Sequence, residues 1–155
     1  MWPQRQEMAI WGAALWWGSL TTVGFGVVPM LFAHLPTTAM AGAMAATLFS
    51  ALTWLAVLCG LLLLLVTRRN PDDALDLRLK NTSVFIVSGM LLALLVEYAV
   101  APRIVARQDL RLWHSVGTVM YVLQWLCATF TLRYLAPKYV ADNQEPVQPL
   151  TQRRP

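Results

Sequence analysis

The chain has 155 residues, of which 57% are hydrophobic and 13% charged, with a net charge of +4. That balance is the composition of a membrane protein and excludes a soluble domain with an ordinary charged surface. The basic excess is accounted for by topology, as argued below, and calls for no nucleic-acid partner.

Four runs are long enough to cross a bilayer, which takes about 20 mostly apolar residues. Met8 to Ala33 contains no charged residue and predicts helix 1 near 8–30. A secretory signal peptide is the competing reading, because Ala39-Met40-Ala41 resembles a small-residue cleavage site. Its apolar stretch exceeds an h-region of roughly 7–15 residues, and only Arg5 precedes it, so a helix is the better reading. Helix 2 is expected near 39–66, helix 3 near 82–102 with Glu97 as its one charge, and helix 4 near 113–135. Cys59 and Cys127 lie inside apolar runs and have neither Cys-x-x-Cys spacing nor a disulfide framework. The expected fold is an all-α integral membrane protein, a four-transmembrane-helix bundle over residues 1–136, followed by a disordered cytoplasmic tail over 137–155.

Helix 1 reaches Val27-Val28-Pro29 and helix 3 reaches Val100-Ala101-Pro102, a weak internal echo that suggests two parallel helix hairpins. Proline lacks a backbone donor and clashes with the carbonyl four residues back, here Phe25 and Tyr98, so each helix is expected to end or kink there. Helices in lipid associate through small residues and polar contacts. That predicts packing stripes of Gly18, Thr22 and Gly26 on helix 1, Gly42, Ala46, Ser50 and Trp54 on helix 2, and Gly89, Ala93 and Glu97 on helix 3. On helix 4 the polar face is His114, Thr118, Tyr121, Trp125 and Ala128.

Between helices 2 and 3, Asn70-Pro71-Asp72-Asp73 reads as a turn that can also cap a short helix. Lys and Arg are distributed nine to one side and three to the other. The positive-inside rule therefore places both termini in the cytoplasm and the stretch from Glu97 to His114 outside. Trp2 and Trp113 suit the two membrane interfaces, and Tyr134 and Tyr139 an inner-side anchor.

Glu97 lies about 7.5 Å of helix rise inside Pro102. An ionised carboxylate in hydrocarbon costs several kcal/mol unless it is paired or protonated, so a partner is expected. The sequence offers Arg103, Arg107 or Arg111, His114, or the hydroxyls of Thr22 and Tyr121. An outer-side cluster of Glu97, Arg103, Arg107, Arg111, His114 and Tyr121 is the leading candidate site. If the loop is helical, the four-residue spacing aligns the three arginines on one face, suited to lipid phosphates or to an anion.

Tyr98-x-x-x-Pro102-Arg103-Ile104, Trp113-His114-Ser115-Val116, Gly26-Val27-Val28-Pro29-Met30-Leu31-Phe32 and Leu48-Phe49 resemble the domain of unknown function 4149 family, bacterial relatives of transmembrane-protein-205-like proteins. The resemblance extends over about residues 8–135, and Ser115 stands where relatives often have Gly. It implies a four-helix inner-membrane protein and brings no activity. A more distant likeness to copper-resistance proteins and membrane protoporphyrinogen oxidases rests on helix count and outer-side histidines alone.

Three functional classes follow. The first is a structural or accessory bundle that packs with itself, as a homo-oligomer, or with a membrane-protein partner, and contacts anionic headgroups. The second handles metal or haem: His34, His114, Met30, Met40 and Met44 share the outer side, and thioether plus imidazole suits Cu(I), while two histidines suit haem. The third is a small transporter or proton-linked conductor, which needs a polar path inward from Glu97; the inner half of helix 3 offers only Ser83 and Ser88. The sequence has no Gly-rich phosphate loop, no His-Glu-x-x-His and no nucleophile with a base nearby in the chain, so an enzyme is the weaker reading.

Overall fold

The computed structural model describes residues 2–67 and 76–136. The expected turn at Asn70-Pro71-Asp72-Asp73, the Tyr139 anchor and the expected disordered tail over 137–155 lie outside the described residues. Helix α1 comprises Trp2–Thr21, a π-helical segment Thr22–Val27 and Val28–His34, and α2 is Thr38–Thr67. Helix α3 comprises Asp76–Leu95, a π-helical segment Val96–Val100 and Ala101–Val105, and α4 is Leu110–Leu135. Within them Glu7–His34, Thr38–Val66, Thr82–Val105 and Leu110–Leu135 are each long and apolar enough to cross a membrane. The fold is an all-α bundle of four such helices.

Neither proline ends its helix, so of the expected end or kink the first is excluded. The Val28 N–H bonds Val23 O and the Ala101 N–H bonds Val96 O, five residues back rather than four. Each wider turn sits immediately ahead of a proline placed at the start of the next α-helical segment. An i→i+5 turn absorbs one extra residue and shifts the carbonyl that the ring would strike, so α1 and α3 run on to His34 and Val105.

Short connections then reverse the chain. Thr37 Oγ1 accepts the Met40 N–H at 3.2 Å, an N-cap for α2. Between α3 and α4 the Gln108 N–H returns to Arg103 O at 3.0 Å, and Arg107 and Asp109 take left-handed backbone at φ 54 and 34. Asp109 tolerates that conformation better than most residues.

Each helix packs against its neighbours in sequence, and α1 closes the ring onto α4, with α3 and α4 sharing the largest interface. The centre is filled from α1. Trp16 is fully buried, and its ring lies over Gly89 of α3 beside Cys127 of α4. Its indole N–H has no hydrogen-bond partner among the described residues.

The buried face of α1 is Ala9, Ala13, Trp16 and Leu20, not the expected stripe of Gly18, Thr22 and Gly26. A Cβ added at Gly18 or Gly26 would meet nothing within 4 Å, and Thr22 is exposed. On α2 the buried stripe is Ala41, Ala45, Leu52, Ala56, Cys59 and Leu63, while Ala46 and Trp54 face out. The expected α2 stripe is therefore off by about one position, roughly 100° of rotation. On α3, Gly89 and Ala93 are buried and Glu97 is half-buried on the same stripe.

Candidate functional site

Two Trp-x-x-x-Thr units, Trp17 to Thr21 on α1 and Trp125 to Thr129 on α4, face each other in antiparallel register. Trp17 Nε1 donates to Thr129 Oγ1 at 3.0 Å, and Trp125 Nε1 donates to Thr21 Oγ1 at 2.9 Å. Each threonine hydroxyl donates in turn to its own helix, Thr21 to Trp17 O and Thr129 to Trp125 O, both at 2.8 Å. Every donor in this reciprocal clasp has an acceptor, as a polar group away from water requires. The two indoles lie 6.5 Å apart, and Phe25 meets the Trp125 ring edge-on at 5.7 Å.

One turn from the clasp, the Tyr121 hydroxyl donates to Leu20 O at 2.6 Å, where α1 passes into its π-helical segment. The ring occupies the space beside Gly24, where any side chain would collide with it, and stacks edge-on against Phe49 of α2 at 5.3 Å. Next to Phe49, Ser50 Oγ donates to Glu97 Oε1 at 2.7 Å. Glu97 itself lies in the π-helical segment of α3. A belt of polar and aromatic contacts thus runs from α3 through α2 and α4 to α1, level with both π-helical segments.

The expected outer-side residues do not assemble around the carboxylate. Glu97 bonds Ser50, and among the described residues no Arg or His pairs with it. A serine on a neighbouring helix supplies one donor to the carboxylate, and no guanidinium is drawn into apolar surroundings. Arg103 is engaged elsewhere: its guanidinium carbon sits 4.5 Å from the centre of the Trp113 ring, and Nη1 donates to Ala99 O. Arg107 and Arg111 are exposed, and the left-handed turn at Arg107 breaks the helical alignment that their spacing suggested. His114 and Thr118 are exposed as well, so the upper part of the expected α4 face looks outward. Tyr121 does lie at the helix junction, although with Leu20 and not with Glu97.

His34 is exposed, and its Nδ1 lies 2.9 Å from Met30 O. Met30, Met40 and Met44 are all half-exposed or more. Among the described residues no three His, Cys, Asp or Glu side chains come together as a metal would require.

Sequence reasoning missed Ser50 as the partner of Glu97, and missed Trp17, Thr21 and Thr129 altogether as site residues. The repeated Trp-x-x-x-Thr spacing was the available signal. The buried amide of Gln124 also lay outside the face expected for α4.

The comparison with curated proteins and that with solved structures each returned no match. The family profile described as Domain of unknown function (DUF4149) matches residues 11–112. That stretch holds α1 from Trp11 onward, α2, α3 and the turn into α4, together with Glu97, Ser50 and the first half of the clasp; Trp113-His114-Ser115-Val116, part of the resemblance read from sequence, falls outside it. With about two thirds of its length inside the match, the chain belongs to the DUF4149 family.

Proposed function

We propose that the protein is a non-enzymatic structural or accessory component of the bacterial inner membrane, held in one conformation by its intramembrane polar belt. One observation carries the reading: four polar contacts near the level of the π-helical segments join one helix to another, Trp17 to Thr129, Trp125 to Thr21, Tyr121 to Leu20 and Ser50 to Glu97. Other hydroxyls turn back onto their own helices, as in Thr47 to Ala43 O, Thr53 to Phe49 O and Thr131 to Cys127 O. A conduction path needs polar groups left free to exchange partners along its length. Bonds closed in pairs favour a fixed bundle, and in this reading Glu97 is a fastener between α3 and α2.

Glu97 supplies the test, with the full chain purified in detergent and reconstituted in vesicles. Glu97→Gln keeps an acceptor for Ser50 and is expected to melt within a few degrees of the unaltered protein. Glu97→Ala removes the acceptor and leaves a cavity, at an expected loss of about 1–3 kcal/mol. Vesicles carrying either protein should pass protons no faster than empty ones. A proton flux abolished by Glu97→Gln would replace this reading with that of a small conductor.

A further inference from the structure

The tip of the α3–α4 hairpin differs in charge from the α1–α2 tip. Arg103, Arg107 and Arg111 are all exposed within nine residues, and Asp109 is the only acid among them. Among and beside them stand exposed aliphatic side chains, Val105 at 76%, Leu110 at 40% and Leu112 at 53%. The turn that carries both sets is short and closed by its own backbone, with Ala106 N–H to Pro102 O and Gln108 N–H to Arg103 O. Helix α3 enters this turn and α4 leaves it as membrane-spanning segments, so the arginines cannot withdraw far from the membrane surface. The other hairpin tip, His34 to Thr38, carries no arginine and exposes Met30 and Phe32 nearby.

We propose that the α3–α4 tip is a docking surface for the phosphates of anionic membrane lipids. The aliphatic side chains enter the acyl boundary while the guanidiniums sit at headgroup level, the division that long cationic side chains adopt at an interface. Arg103 is the most ordered member. Stacked on Trp113 and tied to Ala99 O, its guanidinium is held by the ring and the helix end, with its other N–H groups free to fork onto a phosphate. Charge complementarity selects the occupant, because three exposed cations stand against one acid, Asp109, and a zwitterionic headgroup returns no net charge. The proposal does not depend on the bundle being structural, and it would hold equally for a conductor.

The test uses the full chain in a neutral detergent, titrated with short-chain phosphatidylglycerol or phosphatidylcholine while the thermal midpoint is followed. Phosphatidylglycerol is expected to raise the midpoint at concentrations where phosphatidylcholine does not, and salt is expected to weaken the effect. Replacing Arg103, Arg107 and Arg111 together with Gln is expected to weaken apparent affinity roughly fivefold per arginine and on the order of 100-fold for all three. Should that variant fail to fold, Arg111→Gln alone and a triple Arg→Lys variant serve instead. The first should lose about fivefold, and the second should keep a preference for the anionic lipid. Equal stabilisation by both lipids, or an unchanged preference in the Gln variants, would overturn the proposal. So would equal stabilisation by inorganic phosphate, which would make the tip a small-anion site and not a lipid surface.

Discussion

Glycines in this bundle divide by what stands opposite them, and the division predicts which tolerate a methyl group. At Gly24 an added Cβ would fall within 2.7 Å of Tyr121 Cζ, and at Gly89 within 2.6 Å of Trp16 Cη2. Both obstacles are rigid rings held on several sides, so the strain cannot be relieved by a rotamer change. Gly24→Ala and Gly89→Ala are each expected to cost about 1–3 kcal/mol by overpacking. Gly60 faces Cγ and Sδ of Met90, so the whole side chain must change rotamer to admit a methyl group, but an unbranched thioether does so more easily than a ring and the cost should be smaller. Gly18 and Gly42 face open space, so Ala there keeps the helix-propensity gain of about 1 kcal/mol and should be neutral or stabilising. Thermal melts of the five Ala variants check the order; a large loss at Gly18 would mean that its face is covered by something in the membrane. The sequence could not rank these glycines, because four-residue spacing marks Gly18 and Gly26 as strongly as it marks Gly89. What separates them is which neighbour is a ring.

Among the elements, α1 and α4 are joined by hydrogen bonds that local sequence does not reveal, because each partner lies more than 100 residues from the other. Interhelical hydrogen bonds in membranes contribute about 0.6 kcal/mol on average and rarely more than about 1.7. Trp125→Phe keeps the ring and drops the donor, and Thr21→Val keeps the shape and drops the acceptor. A double-mutant cycle on this pair should give a coupling in that range. The pair Trp125→Phe with Thr129→Val should couple more weakly, since Thr129 meets Trp125 through a backbone carbonyl. Equal coupling in both cycles would dissolve the clasp into general packing. Helix existence, by contrast, was legible at once, because apolar runs of about 20 residues with at most one charge have few alternatives. The prolines were legible too, but their consequence was not. Proline forbids an ordinary α-turn, yet it does not say whether a chain breaks, kinks or widens, and here the tyrosine hydroxyl at Leu20 O and the space left by Gly24 accompany the widened turn of α1. The matching π-helical segments at Pro29 and Pro102 give the weak sequence echo between hairpins a structural counterpart.

For the whole molecule, orientation is the property that contacts within the bundle leave open, and charge placement argues it. Nine of the twelve Lys and Arg residues belong to the chain ends, the α2–α3 connection and the start of α3, while the remaining three are the arginines of the α3–α4 tip. If orientation followed the majority, the termini would be cytoplasmic and the arginine tip would face outward, against the usual bias. Docking on anionic headgroups, as proposed above, would let the three guanidiniums bear that position. The candidate site was only partly legible: Glu97 stood out as a lone intramembrane charge, but the nearby arginines drew attention as partners when they are exposed and the donor to Glu97 is a serine on α2. Orientation is decided by single cysteines in a chain carrying Cys59→Ala and Cys127→Ala. Pro36→Cys and Gln108→Cys should react with an impermeant maleimide on intact spheroplasts, whereas Asn70→Cys and Gln148→Cys should react only after permeabilisation. The reverse pattern would invert the molecule, put all twelve basic residues on unexpected sides, and leave the three arginines obeying the rule that the other nine then break.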